Sequence, residues 1–184
     1  MKKKEIVLYA LIFMMIVTLA NILVQYTVDL KIFKIPLGVF VYPVTFLLTD
    51  ILSEQYSKED VFKMIKLGIL FAVIPTIILS TPRIAAASIV TFLIVQFMDV
   101  KIFHYLKEKY QNLWWLRNNA STITSQFVDT VVFFILAFAF VLPWNVLLQI
   151  MIGNYVVKVA MALLDTPFFY FWGYKKAKMG IVKN

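Results

Sequence analysis

From Ile6 to Val28 the chain runs for about 23 residues without a charged side chain. That is long enough to cross the hydrocarbon core of a bilayer as a helix, which takes about 20 residues. The pattern recurs. Apolar stretches follow from Leu37 to about Glu54, from about Val61 to Thr81, from Arg83 to about Phe103, from about Ala120 to Leu142 and from Trp144 to about Trp172. The second is short and broken by Pro43, and the third opens with Lys63 and Lys66, whose stems can snorkel to the interface. Lipid satisfies no backbone N–H or C=O group, so each stretch must close its own hydrogen bonds. The expectation is an all-α polytopic membrane protein with six transmembrane helices, a single integral membrane domain over residues 1–184. At 62% hydrophobic and 15% charged residues, the chain is too apolar for one soluble core to hide.

The first run exceeds the roughly 7–15 apolar residues of a secretory signal, and Thr18-Leu19-Ala20 is a poor cleavage site. It reads as a retained span. With the N-terminus inside, roughly 14 Lys and Arg residues fall on the cytoplasmic side and roughly 3 (Lys31, Lys34 and Arg83) outside. The positive-inside rule then places both termini in the cytoplasm. The net charge of +8 is accounted for by topology, and nucleic acid is not expected as a partner. Trp114, Trp115, Trp144 and Trp172 fall near span ends, where the interface favours indole rings. The sequence has no cysteine and one histidine, which excludes thiolate and multi-histidine metal sites and cysteine nucleophiles. It carries no nucleophile elbow, zinc signature or aspartate-rich phosphotransfer motif. An enzyme is not expected, nor a cofactor.

The residues that do not belong in lipid carry the functional signal. In the fifth span Asn118, Thr122, Ser125 and Asp129 follow helical spacing, with Gln126 beside them. The second span carries Thr49, Asp50 and Glu54; the sixth carries Asn154, Lys158 and Asp165; the first carries Asn21 and Gln25. Each stripe must face the bundle interior. At 1.5 Å per residue Asp50 lies roughly 20 Å in from the outer end of its span, and Asp129 roughly 14 Å in from the inner end of its own. The two should be within about one helical turn in height, with Lys158 comparably deep, so that the three converge. A lone Asn or Ser between membrane helices serves as glue worth only about 0.6–2 kcal/mol, and Glu54 can pair with Lys58 one turn on. Three ionisable groups in lipid are more than glue needs. Arg83, just after Pro82, reads equally as a gate, a substrate contact or an interface anchor. Asp99 and His104 fall at the cytoplasmic end of the fourth span, in its amphipathic extension. The second span of each half carries a Thr beside a carboxylate (Thr49-Asp50, Asp129-Thr130), a pattern consistent with a 3+3 inverted repeat.

The segments FLLTDILSEQYSKEDV, TPRIAAAS, DVKIFHYLKEK, WLRNNASTITSQFVDTVVFF and YVVKVAMALLDTPFFY together resemble, in order, the queuosine precursor transporter family. The resemblance implies a multi-pass protein of the inner (cytoplasmic) membrane. Such a protein imports 7-cyano-7-deazaguanine, 7-aminomethyl-7-deazaguanine or queuine for tRNA-modification salvage. It leaves open whether the protein is a homo-oligomer and whether uptake is proton-coupled or facilitated diffusion. The matched polar positions are Thr49, Asp50, Glu54, Arg83, Arg117, Asn118, Ser121, Thr122, Ser125, Gln126, Asp129, Thr130, Lys158 and Asp165. Two departures stand out: Ser57 replaces the family's usual glycine, and the connection before Thr81 is shorter than usual. A carboxylate can accept the N1–H and exocyclic amine of a deazaguanine as a fork; Asp50 or Asp129 suits that task, with Gln126, Asn118 or Ser125 reading the carbonyl and ring nitrogens. The alternative is the substrate-capture subunit of an energy-coupling-factor importer, although the first span, YALIFMMIVTLAN, lacks a clear small-residue docking series.

Overall fold

A computed structural model describes residues 1–29 and 34–180; Lys31 and Lys183, counted in the charge asymmetry, lie outside the described residues. The helices are α1 (Lys3–Leu23), α2 (Gly38–Val41), α3 (Pro43–Gln55), α4 (Lys58–Leu79), α5 (Pro82–Lys109), α6 (Trp114–Phe138) and α7 (Trp144–Phe169), followed by a π-helical turn (Tyr170–Tyr174) and α8 (Lys175–Lys178). Two short strands, β1 (Thr27–Asp29) and β2 (Lys34–Pro36), pair antiparallel between α1 and α2, with Val28 opposite Ile35. Five helices (α1, α4, α5, α6, and α7 with its extension) are long and apolar enough to cross a membrane. The expected second span is instead two pieces. At 13 residues, α3 is only about 20 Å long, and α2 meets it at Tyr42–Pro43, where the proline opens a new helix.

The molecule is apolar outside and polar within. Leu70, Ile74 and Ile78 of α4 and Leu148, Ile152 and Val156 of α7 point outward at helical spacing, an arrangement that only a lipid solvent makes favourable. Inside, α1 and α4 pack through Ala10, Phe13 and Val17 against Met64, Ile65 and Ile69, while Phe133, Phe134 and Ala137 of α6 pack on Ala87 and Leu147. Polar side chains fill the space between these clusters. Asn21 bridges three helices, donating to Thr76 Oγ1 (3.0 Å) and accepting from Ser88 Oγ (2.9 Å).

Helix ends show which boundaries the sequence misplaces. The first span was expected to reach Val28, but α1 stops at Leu23 and β-branched Thr27 and Val28 enter the ribbon. Gln25, freed from the helix, donates to the Leu79 carbonyl at the end of α4 (2.8 Å). The expected start of the fifth span at Ala120 is six residues late. Trp114–Asn119 is helical because Arg117 is buried in an ion pair and so does not end the helix. Ser57, the departure from the family pattern, caps α4, its hydroxyl accepting from Asp60 N. Thr81 caps α5 in the same way, which lets the chain reverse at Ser80–Thr81 almost without a loop.

All these contacts sort into two ends. At one, the Met1 amine meets Asp60 (2.5 Å), Lys107 donates to the Ser53 and Glu54 carbonyls that close α3 (2.9 and 2.7 Å), and Gln55 Nε2 donates to the Trp172 carbonyl. At the other lie the ribbon and Arg83, which donates to the Leu136 and Ala139 carbonyls at the end of α6 (3.1 and 2.5 Å).

Gly38 packs α2 against α1 so closely that a Cβ there would lie 2.7 Å from the Ala20 carbonyl oxygen. Gly38→Ala is expected to destabilise the detergent-purified protein by about 1–3 kcal/mol, read as a lowered thermal midpoint. Lipid-facing Leu164→Ala is expected to leave it nearly unchanged.

Candidate functional site

One face of α6 is buried from Arg117 to Ala137: Arg117, Asn118, Ser121, Thr122, Ser125, Gln126, Asp129, Thr130, Phe133, Phe134 and Ala137. This is the stripe the spacing predicted, and it runs through the centre of the bundle. Several of its hydroxyls bond back to the preceding turn, Ser121 to the Arg117 carbonyl (2.7 Å) and Thr130 to the Gln126 carbonyl (2.8 Å). The ionisable side chains are thereby left to make contacts between helices. They form three layers.

The layer nearest the ribbon is built on Asp129. Its Oδ2 accepts from Lys158 Nζ of α7 (2.5 Å) and its Oδ1 from the Tyr42 hydroxyl (2.7 Å) at the α2–α3 junction. Lys158 also donates to Thr130 Oγ1 (3.3 Å) and sits over the Tyr42 ring, 4.7 Å from its centroid. Lys158 and Asp129 are almost fully buried, so removing either one would leave the other without its partner in the bundle. Beside them lies a narrow cleft of about 30 Å³ lined by Asn21, Gly38, Tyr42, Phe133, Phe134, Asp129, Asn154 and Lys158. Asn154 Oδ1 is buried there with no partner among the described residues. Toward the ribbon, a more apolar cavity of about 390 Å³ shares Val24 and Phe134 with the cleft.

The middle layer holds Asp50. Its Oδ2 accepts from Thr122 Oγ1 (2.8 Å), and its carboxyl adjoins that of Asp99 on α5. The anticipated trio therefore divides: Asp129 and Lys158 come together, while Asp50 lies level with Thr122, two helical turns or about 10 Å below Asp129. The reason is the early start of α6, which lifts Asp129 to about 22 Å from its own N-terminus. Thr49 and Gln96 link the layers: Gln96 Nε2 donates to Thr45 Oγ1 (3.1 Å), and Gln96 Oε1 accepts from Thr49 Oγ1 (3.4 Å). Both amide atoms of Gln126 and the Ser125 hydroxyl are buried without partners among the described residues.

The third layer closes the lysine-rich end. Glu54 and Arg117 form a bidentate, buried pair (Nε–Oε2 2.8 Å, Nη2–Oε1 2.7 Å), with Tyr174 over the guanidinium at 5.6 Å. The expected Glu54–Lys58 pairing is replaced because Arg117 offers a planar fork that engages both oxygens of Glu54 in a buried site. A cavity of about 780 Å³, lined by Glu54, His104, Lys107, Arg117 and Tyr174, opens just beyond.

Of the remaining candidates, Arg83 is engaged with the end of α6. Asn118 is buried on the polar face below Thr122, and Asp165 is half-buried on α7 and lines none of these cavities. Two residues were missed, Tyr42 and Asp99. Tyr42 is signalled only by its place before Pro43. Asn154, read on the inward stripe of the sixth span, is buried one turn before Lys158. Asp99 was read as interfacial, yet Ser88, Thr91, Val95 and Asp99 mark out the buried face of α5 at helical spacing.

A membrane-spanning bundle that keeps an ion pair in its dry centre beside a partly polar cleft, with a cavity at each end, has the build of a solute transport protein. The chain matches the family model described as "Putative vitamin uptake transporter" over residues 36–80 and 72–172, and it belongs to that family, which consists of transporters and not enzymes. It is 31% identical over 176 residues to the probable queuosine precursor transporter of Bacillus subtilis (strain 168), covering 82% of this chain and 77% of that protein. It is 28% identical over 149 residues to the queuosine precursor transporter of Escherichia coli (strain K12), covering 70% of this chain and 66% of the relative. No solved structure matches it.

The buried Glu54–Arg117 pair makes a stability prediction. Arg117→Ala strands a carboxylate in the bundle and is expected to cost about 3–5 kcal/mol. The double variant Glu54→Gln/Arg117→Gln removes both charges and should recover much of that loss in thermal unfolding of the purified protein.

Proposed function

We propose that this chain is an importer of a queuosine precursor, a 7-substituted deazaguanine or queuine, working as one transport domain over its whole length. The observation that carries the reading is Asp129, a buried carboxylate held by Lys158 and Tyr42 at the wall of a narrow, partly polar cleft of about 30 Å³; that is room for little more than water, so the bundle must widen there to admit a base. The chain's relatives, named as queuosine precursor transporters, supply the substrate class.

The chemistry supports the match. An ionised carboxylate has about four lone-pair sites, so Asp129 keeps acceptor capacity beyond its two present donors. A deazaguanine offers it N1–H and the exocyclic amine together. Asn154, now short of a partner, can complete the base's polar edge, and Tyr42, Phe133 and Phe134 give the flat ring apolar walls. Gln126 lies one turn below, with both amide atoms uncommitted. The cavity on the ribbon side serves as the entrance, and the Glu54–Arg117–Tyr174 layer closes the exit. The end crowded with lysines faces the cytoplasm under the positive-inside rule, which puts both termini there. The Thr-carboxylate pairs on α3 and α6 remain compatible with an inverted repeat.

Uptake of labelled 7-cyano-7-deazaguanine into liposomes holding only the purified chain tests the reading and separates it from a capture subunit that needs an ATPase. Asp129→Asn is expected to lower uptake about 10–100-fold, the loss of a charge-assisted fork worth about 1.5–3 kcal/mol. Tyr42→Phe should act more weakly, because Lys158 still holds the carboxylate. Normal transport by Asp129→Asn would remove the assigned site.

A further inference from the structure

Two carboxyls take no part in the substrate cleft. Asp50 on α3 and Asp99 on α5 are fully buried and face each other just beyond the Thr49–Gln96 contact that joins the two helices, with Ser121 and Ser125 of α6 beside Asp99. Thr122 serves one oxygen of Asp50. The other oxygen of Asp50 and both oxygens of Asp99 have no donor among the described residues, and Ser53 Oγ, Ser125 Oγ and the Gln126 amide are likewise buried without partners.

The surrounding charges are all committed. Arg117 and Lys158 are the buried cations among the described residues. Arg117 of α6 is locked to Glu54 of α3, and Lys158 of α7 to Asp129 of α6. Lys107 of α5 is spent on the Ser53 and Glu54 carbonyls. Tyr42, beside α2, donates to Asp129, Tyr174 lies over Arg117, and Asp60 of α4 holds the Met1 amine and Lys63. His104 of α5 lines the lysine-end cavity, and Asp165 of α7 is half-buried with no described partner. The charged neighbour that bears on the pair is Glu54, a further anion.

Two ionised carboxylates are acceptors only and cannot bond to each other; with one proton between them, one donates to the other. A buried carboxyl pair with no cation paired to it among the described residues is relieved by such a proton, because two uncompensated charges at close range repel. The position of the pair matters. Above it, Thr49, Gln96 and Thr45 form a ladder toward Tyr42 and the substrate cleft. Below it, Glu54 borders the lysine-end cavity.

We propose that Asp50 and Asp99 form the proton-binding site of a proton-coupled importer. The pair shares one proton, loaded from water on the ribbon side and returned to water at the lysine end when the bundle opens there. No bond other than the carboxyl O–H is made or broken. The proposal rests on the transporter reading, and the following experiments separate the two.

Purified wild-type chain in liposomes should exchange labelled 7-cyano-7-deazaguanine when no ion gradient is present. An inward proton gradient should drive accumulation above the outside level, and a protonophore should abolish it. Asp99→Asn should retain exchange and lose accumulation, and Asp99→Glu should restore it. Ligand-free wild-type protein should show a deuterium-sensitive infrared band of a protonated carboxyl that disappears in Asp50→Asn/Asp99→Asn. Wild-type exchange without gradient-driven accumulation, accumulation driven by sodium, or absence of the infrared band each overturns the proton site. Absence of wild-type exchange overturns the transporter reading instead, and the infrared comparison of wild type with Asp50→Asn/Asp99→Asn, which needs no substrate, still decides the pair.

Discussion

An ammonium and a carboxylate inside a bilayer must find each other, because neither can be hydrated there. Lys158 and Asp129 meet at 2.5 Å between α7 and α6, and the rest of the centre is arranged around that contact. It fixes the relative heights of the two helices. It draws Tyr42 inward from the α2–α3 junction, with the ring under the ammonium and the hydroxyl on the carboxylate. The break at Pro43 is what makes this possible: a continuous helix would carry Tyr42 on a fixed rotation relative to Asp50, whereas two pieces let the junction face the cleft while α3 faces α5 and α6.

The same electrostatic demand, met three different ways, separates the layers. In the cleft, a cation neutralises Asp129, and the pair retains acceptor capacity. At the lysine-rich end, Arg117 saturates both oxygens of Glu54 and leaves nothing spare, a contact suited to closing a passage. Between them, Asp50 and Asp99 have each other and a few hydroxyls. The hydroxyl and amide side chains between layers, Thr45, Thr49, Gln96 and Gln126, are the rungs along which a change in one layer would be felt in the next.

Much of this was legible one helix at a time. Along α6 a period of 3.6 residues can be read without neighbours, so the stripe from Asn118 to Asp129 was visible. Lys158 was conspicuous by depth alone. Asp99 was not, because the apolar residues around it form no clean stripe and the nearby Lys101, Lys107 and Lys109 gave its end of α5 the look of an interface. Tyr42 was hidden because an aromatic residue in a membrane protein is ordinarily packing. The ribbon was missed because Thr27 and Val28 continue an apolar run whose length alone suggests helix. Arg117 was counted as a surface charge; its burial follows from Glu54, which is distant in sequence.

The chain by itself determined its solvent, five of the six spans expected of it, its charge asymmetry and which side chains must turn inward. Each of these follows from local apolar length and helical period, quantities that a single segment carries. Tertiary structure decided who pairs with whom. Arg117 and not Lys58 neutralises Glu54, Asp129 and not Asp50 holds Lys158, and Asp99 comes to face Asp50. These choices depend on where each helix begins and how far it slides along its neighbour, and a shift of one turn, about 5.4 Å, is enough to exchange one partner for another.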